Sequence, residues 1–518
     1  MSARQPTEER EAALHGNSTN EHLGPLDATE PYDVCIVGSG PAGTVLAKVL
    51  AGRGVRVLML ESGGGLQTWL TDRRVRSLAR YEFSGDTDYP LTRTTSRVLG
   101  GNSNFWTGRC ERFHPSDFDR HAYTPPDNPW PITYADLDPY YDQAEQLLRV
   151  RGGPRSGFAP PRRGPLPLPP SPDISFLKRL GARLDVAFEE SATATPTKTL
   201  RIFKVHREIL PGCLASQRVT LVTGANVTRL LPGTDGCIVG AEVKGFDGVT
   251  KVARARCFVV SCGGIESARL LLLSSSERFP NGIGNTHDKV GRGFNEHPNV
   301  SFTGTLPHSW GTLAPTNKIA RTHQFYSSYR GEGLGSVFPV IRQAWVLPNH
   351  IAKFRVSNLP RTFVSGLRRM VRAPLFVGCG TEMTISPSNR VTLSRARTDL
   401  FGSPIAHLMM SYSEEDRRLL DRARGLLRGW LSRLNVRHVR ELEVAWSRHH
   451  QGACRMGRSP ATSVVDADLR VHETPNLYVC GSEVFVTGGA MQPSLTIVAL
   501  ALRLGDHLAA RLRTGAVR

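Results

Sequence analysis

The sequence predicts an α/β protein whose first domain is interrupted by a second, and three features carry that prediction. A strand, a glycine-rich turn and a helix open the patterned part of the chain at Tyr32. Strand-like alternation returns from Val219 and closes on a second Gly-Gly turn and helix near Glu266. Between that point and the C-terminus, from about Thr303 to Ala445, lies a long stretch with few glycine motifs and a helix of its own.

The opening segment reads YDVCIVGSGPAGTVLAKVLAGRGVRVLMLESGG. Val34 to Val37 form a short buried strand, Ala47 and Leu50 lie on the packing face of a helix, and Val55 to Leu60 form a second strand. Gly38, Gly40 and Gly43 make GxGxxG around Pro41 and Ala42. The first glycine permits the tight turn, the second lets backbone N–H groups reach a pyrophosphate, and the third allows close helix packing. Glu61 closes the second strand, where an acid accepts hydrogen bonds from a ribose. The unit is therefore Rossmann-type and dinucleotide-binding, and an acid at the ribose suits FAD or NAD equally.

Next comes the loop SRVLGGNSNFWTGRC, Ser96 to Cys110, too apolar around Phe105 and Trp106 for a solvated linker. PWPITYADLDPYYDQAEQLLRV reads as an N-capped amphipathic helix, and Gly152 to Pro172 as an extended loop or lid. TEMTISPSNRVTL suggests a hairpin around Ser388 and Asn389, and a helix is expected from Glu414 to Leu434 after Ser413 as N-cap. A final apolar helix carries Pro493 in its first turn, and its free N–H groups suit an anionic partner. The expected division is a disordered arm over 1–30, a discontinuous nucleotide-binding domain over 31–120, 215–302 and 446–518, and a second domain with its lid over 121–214 and 303–445.

Composition narrows the function. The 518 residues are 40% hydrophobic and carry a formal net charge of +19, but acids are interspersed among the arginines almost everywhere. No zinc-finger spacing or aromatic RNA-binding signature accompanies them, so no nucleic-acid partner is expected. Nine cysteines without CxxC spacing point to reduced thiols, a cytoplasmic setting and no metal site. Residues 1 to 30 lack the apolar region of a signal peptide, and no run of about eighteen apolar residues suggests a membrane span. The basic stretch TFVSGLRRMVRAPLF is short and reads as a solvated face or pocket rim, so membrane association is not expected.

Taken in order, GSGPAG with Glu61, RVLGGNSNFWTG, WPITYADLDPYYDQAE, GGIESARLLLLS, VGRGFNEHP, HHQGACRMG, VVDADLRVHETPNLYVCGSEVF and GGAMQPSLTIVALALRLGDHL resemble the glucose-methanol-choline (GMC) oxidoreductases. The resemblance spans nearly the whole chain after Tyr32. It implies a discontinuous FAD domain with an inserted α+β substrate domain on an antiparallel sheet, and oxidation of an alcohol group on a sugar, glycoside or similar polyol. It also implies roles. His449, first of a His-His pair, matches the family's base facing flavin N5, with an imidazole near its ordinary pKa of about 6.5; His450 is structural. Gln492 stands where the family has Asn or His, keeping an amide but losing any second base.

The resemblance places Arg97, Gly101, Asn102, Asn104, Gly481, Ser482, Pro493 and Ser494 near the cofactor, with Val227 at the position whose backbone meets adenine. Phe105 matches a histidine that some members bond to the flavin, so the FAD is expected to be noncovalent. Glu382, in TEMTI, is open between a pocket residue that binds an amine or sugar hydroxyl and a solvated or paired strand carboxylate, and His297 is read as structural. The electron acceptor is left open between oxygen and a quinone or other acceptor. Two rivals also remain: a lyase whose flavin need not turn over, and a non-catalytic binding protein on the same scaffold.

Overall fold

The computed structural model describes residue 26 and residues 31–87, 94–170, 175–195, 202–307, 319–343, 375–446 and 448–515. The expected N-terminal arm and most of the basic stretch TFVSGLRRMVRAPLF lie outside these residues.

The chain runs through β1 (Tyr32–Val37), α1 (Pro41–Gly52), β2 (Val57–Glu61), β3 (Glu82–Ser84), α2 (Tyr134–Leu147) and β4 (Glu189–Glu190). Strands β5 (Val219–Thr223), β6 (Asn226–Pro232), β7 (Ile238–Lys244), β8 (Thr250–Ala253) and β9 (Ala255–Val260) precede α3 (Glu266–Leu273). Then come β10 (Pro298–Thr305), β11 (Ile319–Arg321), β12 (Val337–Gln343), β13 (Leu375–Thr381), β14 (Arg390–Thr398) and β15 (Pro404–Met409). Helix α4 (Glu414–Arg433), β16 (Arg437–Trp446), β17 (Leu477–Val479) and α5 (Ser494–Arg513) complete the chain.

Five strands form a parallel sheet in the order β17-β9-β1-β2-β5. The central strand explains its own burial: Val34, Cys35 and Ile36 are fully buried because neighbouring strands and helices cover β1 on all sides. The antiparallel trio β6, β7, β8 is an excursion between β5 and β9. The C-terminal helix α5 returns to pack on α1 and α2, so chain ends far apart in sequence share one core. Gly43 lets the start of α1 sit against the turn after β1, since a Cβ there would come within 2.1 Å of the Gly38 carbonyl oxygen.

A second sheet is antiparallel, in the order β16-β10-β13-β12-β11-β4. Helix α4 covers one face through Leu419, Ala423, Leu427 and Trp430, an apolar stripe at helical spacing. Ser413 caps α4 as expected, accepting from Asp416 N while the Asp416 carboxylate accepts from Ser413 N. Thr133 and Asp136 build the same reciprocal cap at the start of α2.

Three expectations need correction. No hairpin forms around Ser388 and Asn389, because both edges of β13 are already hydrogen-bonded, to β10 and β12, and β14 pairs with β15 in another sheet. Helix α2 lies with the nucleotide-binding core rather than the second domain: Leu137, Tyr141 and Ala144 are buried there, and Tyr141 Oη sits 2.9 Å from Thr496 Oγ1 on α5. The segment after Gly152 is extended but does not form a lid on the cavity described below. Arg155 ties it to Glu189 at 2.9 Å and Arg162 to Glu145, and none of its described residues lines that cavity.

Candidate active site

One cavity of about 550 Å³ collects the predicted site residues. Its wall includes Gly38, Gly40, Pro41, Ala42 and Glu61 from the βαβ unit, Arg97, Gly101, Asn102 and Phe105 from the second glycine loop, and Val227 from β6. His449, Gly481, Ser482, Gln492, Pro493 and Ser494 contribute from the C-terminal part. Two expected residues are not on the wall. Gly43 faces the turn behind it, and Asn104 turns its amide back to the Leu99 and Gly101 carbonyls, both at 2.9 Å, stapling its own loop.

The nucleotide end is built for close approach. Gly38 adopts φ +105°, and a Cβ there would fall 2.4 Å from the Ser261 carbonyl oxygen. A Cβ at Gly40 would meet no protein atom within 4 Å, so the turn leaves open space where a ligand's phosphates pass the backbone. Glu61 Oε2 accepts from Ser39 Oγ at 2.6 Å and Ser39 N at 3.1 Å, and Oε1 from Gly63 N at 2.9 Å. The carboxylate thereby ties the glycine turn to the end of β2. Arg97 bonds to Glu266 at 2.6 Å. Ser261 Oγ, on the same wall, is buried without a partner among the described residues.

The C-terminal end holds the histidines. His297 Nε2 lies 3.2 Å from the Gly488 carbonyl oxygen, which only accepts, so Nε2 carries the His297 proton. Its Nδ1 is then the acceptor for His449 Nδ1–H at 2.8 Å. Nε2 of His449 is left unprotonated, with no hydrogen-bond partner among the described residues. The Gln451 amide, 3.3 Å from His297 Nε2, agrees with this assignment when its oxygen, otherwise without a partner, faces that proton. The buried Glu296 carboxylate accepts from the backbone N–H groups of His297, at 2.7 Å, and His449. One acid thus fixes both histidine backbones.

The His449 pKa is well below 6.5, not near it as the sequence suggested. Burial is the first cause, and the charges of His297, Arg109, His450 and Arg321 add to it. His450 stays neutral for the same reason, pushed down to about 3 by burial. Gln492, just ahead of α5, gives its Oε1 to Arg321 Nη1 at 2.9 Å, which leaves its NH₂ as the remaining polar group. Glu382 stays away from the cavity: it accepts from Ser336 N at 2.9 Å and lies 3.6 Å from His121.

Sequence reasoning missed Arg109, Arg321 and Glu296. Arg109 lies inside the second glycine loop, and Glu296 precedes His297 in VGRGFNEHP, so both had a signal. Arg321 had none, because only the pairing of β11 with β12 brings it to Gln492.

Family models described as GMC oxidoreductase match residues 189–299 and 386–501, and an FAD binding domain model matches residues 31–67. The chain is also 30% identical to 6'''-hydroxyparomomycin C oxidase of Streptomyces lividus, over 97% of each chain. The chain belongs to the GMC oxidoreductases. This GMC oxidoreductase is similarly 30% identical to paromamine 6'-oxidase of Streptomyces fradiae, over 95% of each chain. Pyridoxine 4-oxidase from Mesorbium loti shares its fold at a TM-score of 0.64, with 19% identity over 92% of this chain and 99% of that one. FAD is the cofactor. The open space at Gly40, the strained Gly38 turn and the orphaned Ser261 hydroxyl fit a dinucleotide along that wall.

Proposed function

We propose that this GMC oxidoreductase oxidises an alcohol group on a sugar, glycoside or similar polyol, with His449 as the base and Gln492 orienting the reacting hydroxyl. When bound, FAD supplies the hydride acceptor. The observation that carries the reading is the Nδ1-to-Nδ1 contact of His449 with His297, which leaves an unprotonated Nε2, without a partner among the described residues, for proton abstraction. Burial keeps that nitrogen neutral through neutral pH. A general base of this kind contributes roughly 10²- to 10⁴-fold. The Gln492 NH₂, held by Arg321 through its oxygen, donates to the hydroxyl oxygen and orients the proton toward His449.

The substrate class is supported by relatives named for glycoside and aminoglycoside oxidation, among them C-glycoside 3-oxidase of Microbacterium trichothecenolyticum. Such relatives also support a role in biosynthetic tailoring. Attachment of the FAD is noncovalent, since Phe105 offers no nucleophile. Oxygen or a quinone takes the electrons onward. Nine cysteines without a disulfide support a cytoplasmic setting, and no helix among the described residues is long and apolar enough to cross a membrane.

The test is anaerobic mixing of the holoenzyme with neutral sugars, acidic sugars, amino sugars, glycosides and simple alcohols. Bleaching of the flavin absorbance by one class is expected. A bound flavin bleached by dithionite but by no alcohol overturns the oxidation.

A further inference from the structure

Around Gln492 the protein concentrates positive charge, Arg109 and Arg321, that shares one acid, Glu111, with Arg155. Arg321 is 2% exposed, yet its guanidinium makes no salt bridge among the described residues. Among the described residues its only hydrogen bond goes to Gln492 Oε1 at 2.9 Å and its Nε has no partner, while its Cζ lies 4.7 Å from the Phe338 ring centre. Arg109, on the cavity wall with His449, has neither a salt bridge nor a partner for its buried Nε among the described residues. A third guanidinium comes from β12. Arg321 pairs with Val340 and Arg342 with Ile319, so the two arginines are diagonal neighbours on one sheet face. Arg342 stacks 4.5 Å from the Phe376 ring centre, and its Nε also lacks a partner.

The carboxylates of this region are already engaged. Glu111 accepts from Ala192 N at 2.8 Å and lies 3.4 Å from Arg155; Glu189 meets Arg155 at 2.9 Å and Ser156 N at 2.9 Å. A guanidinium keeps its proton, so Arg109 on the cavity wall and Arg321 behind Gln492 put positive charge beside His449, with Glu111 as the acid that acts on both. An arginine fork matches the paired oxygens of a carboxylate or phosphate.

We infer that Arg109 and Arg321 bind an anionic oxygen group, a carboxylate or phosphate, carried by the polyol that is oxidised. The substrate is therefore an acidic sugar, and neutral and amino sugars are disfavoured. The inference rests on His449 and Gln492 marking the reaction site. Because Gln492 shares Arg321 with that anion, substrate charge and hydroxyl orientation are set by one side chain. Anion binding also cancels two charges that weaken His449 as a base, so the proton acceptor strengthens when the correct substrate arrives.

The experiment titrates the holoenzyme anaerobically with D-glucuronate, D-glucose 6-phosphate, D-glucose and D-glucosamine, following flavin spectral perturbation for binding and bleaching for reaction. At least one acidic sugar should bind about ten-fold or more tighter than D-glucose, and D-glucosamine should bind weakest. Preference between the two acids tells carboxylate from phosphate. Arg109→Gln should weaken the acidic sugar about ten-fold and leave D-glucose within about two-fold. Arg321→Lys, which keeps charge but loses the fork, should weaken it as well. D-Glucose or D-glucosamine binding as tightly as the better-bound acid, no binding by any of the four, or unchanged affinity for that acid in FAD-loaded Arg109→Gln overturns the inference. Tight acid binding with no bleaching by any alcohol leaves the anion site standing and defeats the oxidation instead.

Discussion

His297 meets His449 nitrogen to nitrogen, Nδ1 to Nδ1 at 2.8 Å, with the two rings near perpendicular at 79°. Only one of those nitrogens can carry a proton when both rings are neutral. The Gly488 carbonyl decides which, by accepting the single ring proton of His297 at Nε2 and leaving its Nδ1 to accept. Backbone geometry some forty residues downstream thus sets the tautomer of His449.

Replacing His449 with Ala should slow flavin reduction by roughly 10²- to 10⁴-fold. FAD content should be unaffected. His297→Asn should cost less, because it disturbs orientation rather than removing the base, and should change the pH profile of reduction as well as its rate. A His449→Ala rate within ten-fold of the parent would remove His449 from the chemistry. Anaerobic stopped-flow absorbance measures both.

The depressed His449 pKa also fixes the pH dependence. The neutral, active form persists below pH 6.5, so kcat/KM for proton abstraction should be flat from about pH 8 to below 6.5 and fall only in more acidic solution. An acid limb centred near the ordinary histidine pKa of about 6.5 would show that the base is more exposed than its surroundings indicate.

Stability should fall on the acid side for a related reason. His114 and His297 are pushed down to about 4, and His323 and His450 to about 3, each mainly by burial. Unfolded histidines take up protons near pH 6.5, before the folded ones do. The stabilisation is complete above that value and is lost as pH falls toward 4 and then 3, by up to about 1.4 kcal/mol per pH unit for each histidine. Denaturant midpoints should drop steadily across this window; midpoints constant from pH 7 to 5 would contradict the burial of these rings.

How much of this was legible in the sequence follows from which contacts are local. The βαβ unit, the glycine turn and the capped helices α2 and α4 depend on residues within a few positions of each other, and GxGxxG or Ser413 with Asp416 signals them directly. The pairing of β14 with β15 instead of β13 depended on edges filled by strands far away in the chain. The roles of His449 and Gln492 came from a family resemblance. What surrounds them did not, because Arg321 reaches Gln492 across 171 residues and Glu296 reaches His449 across 153.

Gln492→Asn tests that long-range contact. Shortening the side chain by one methylene draws its oxygen away from Arg321 Nη1, now at 2.9 Å, and frees the amide to rotate. A lost charge-assisted hydrogen bond amounts to about 1.5–3 kcal/mol, so kcat/KM should fall roughly ten-fold or more. Asn at this position is what the family resemblance suggests, and a rise in activity would show that Arg321 holds the amide away from the substrate.

The flavin itself gives the last test. Phe105 lines the cavity and is 41% exposed, so the second glycine loop presents an aromatic face where no covalent bond can form. The two cavity thiols, Cys262 and Cys480, are held protonated by burial, well above the usual thiol range, and a protonated thiol is a poor nucleophile. Acid precipitation should therefore release all of the yellow colour into the supernatant, with the mass of the denatured chain equal to that of its amino acids alone. A flavin-sized mass increment on the chain would place the attachment on another cavity residue, and peptide mapping would then identify it. Phe105→His asks whether the loop geometry is otherwise competent: a coloured pellet from that variant, with none from the parent, would show that the phenyl ring alone keeps the cofactor free.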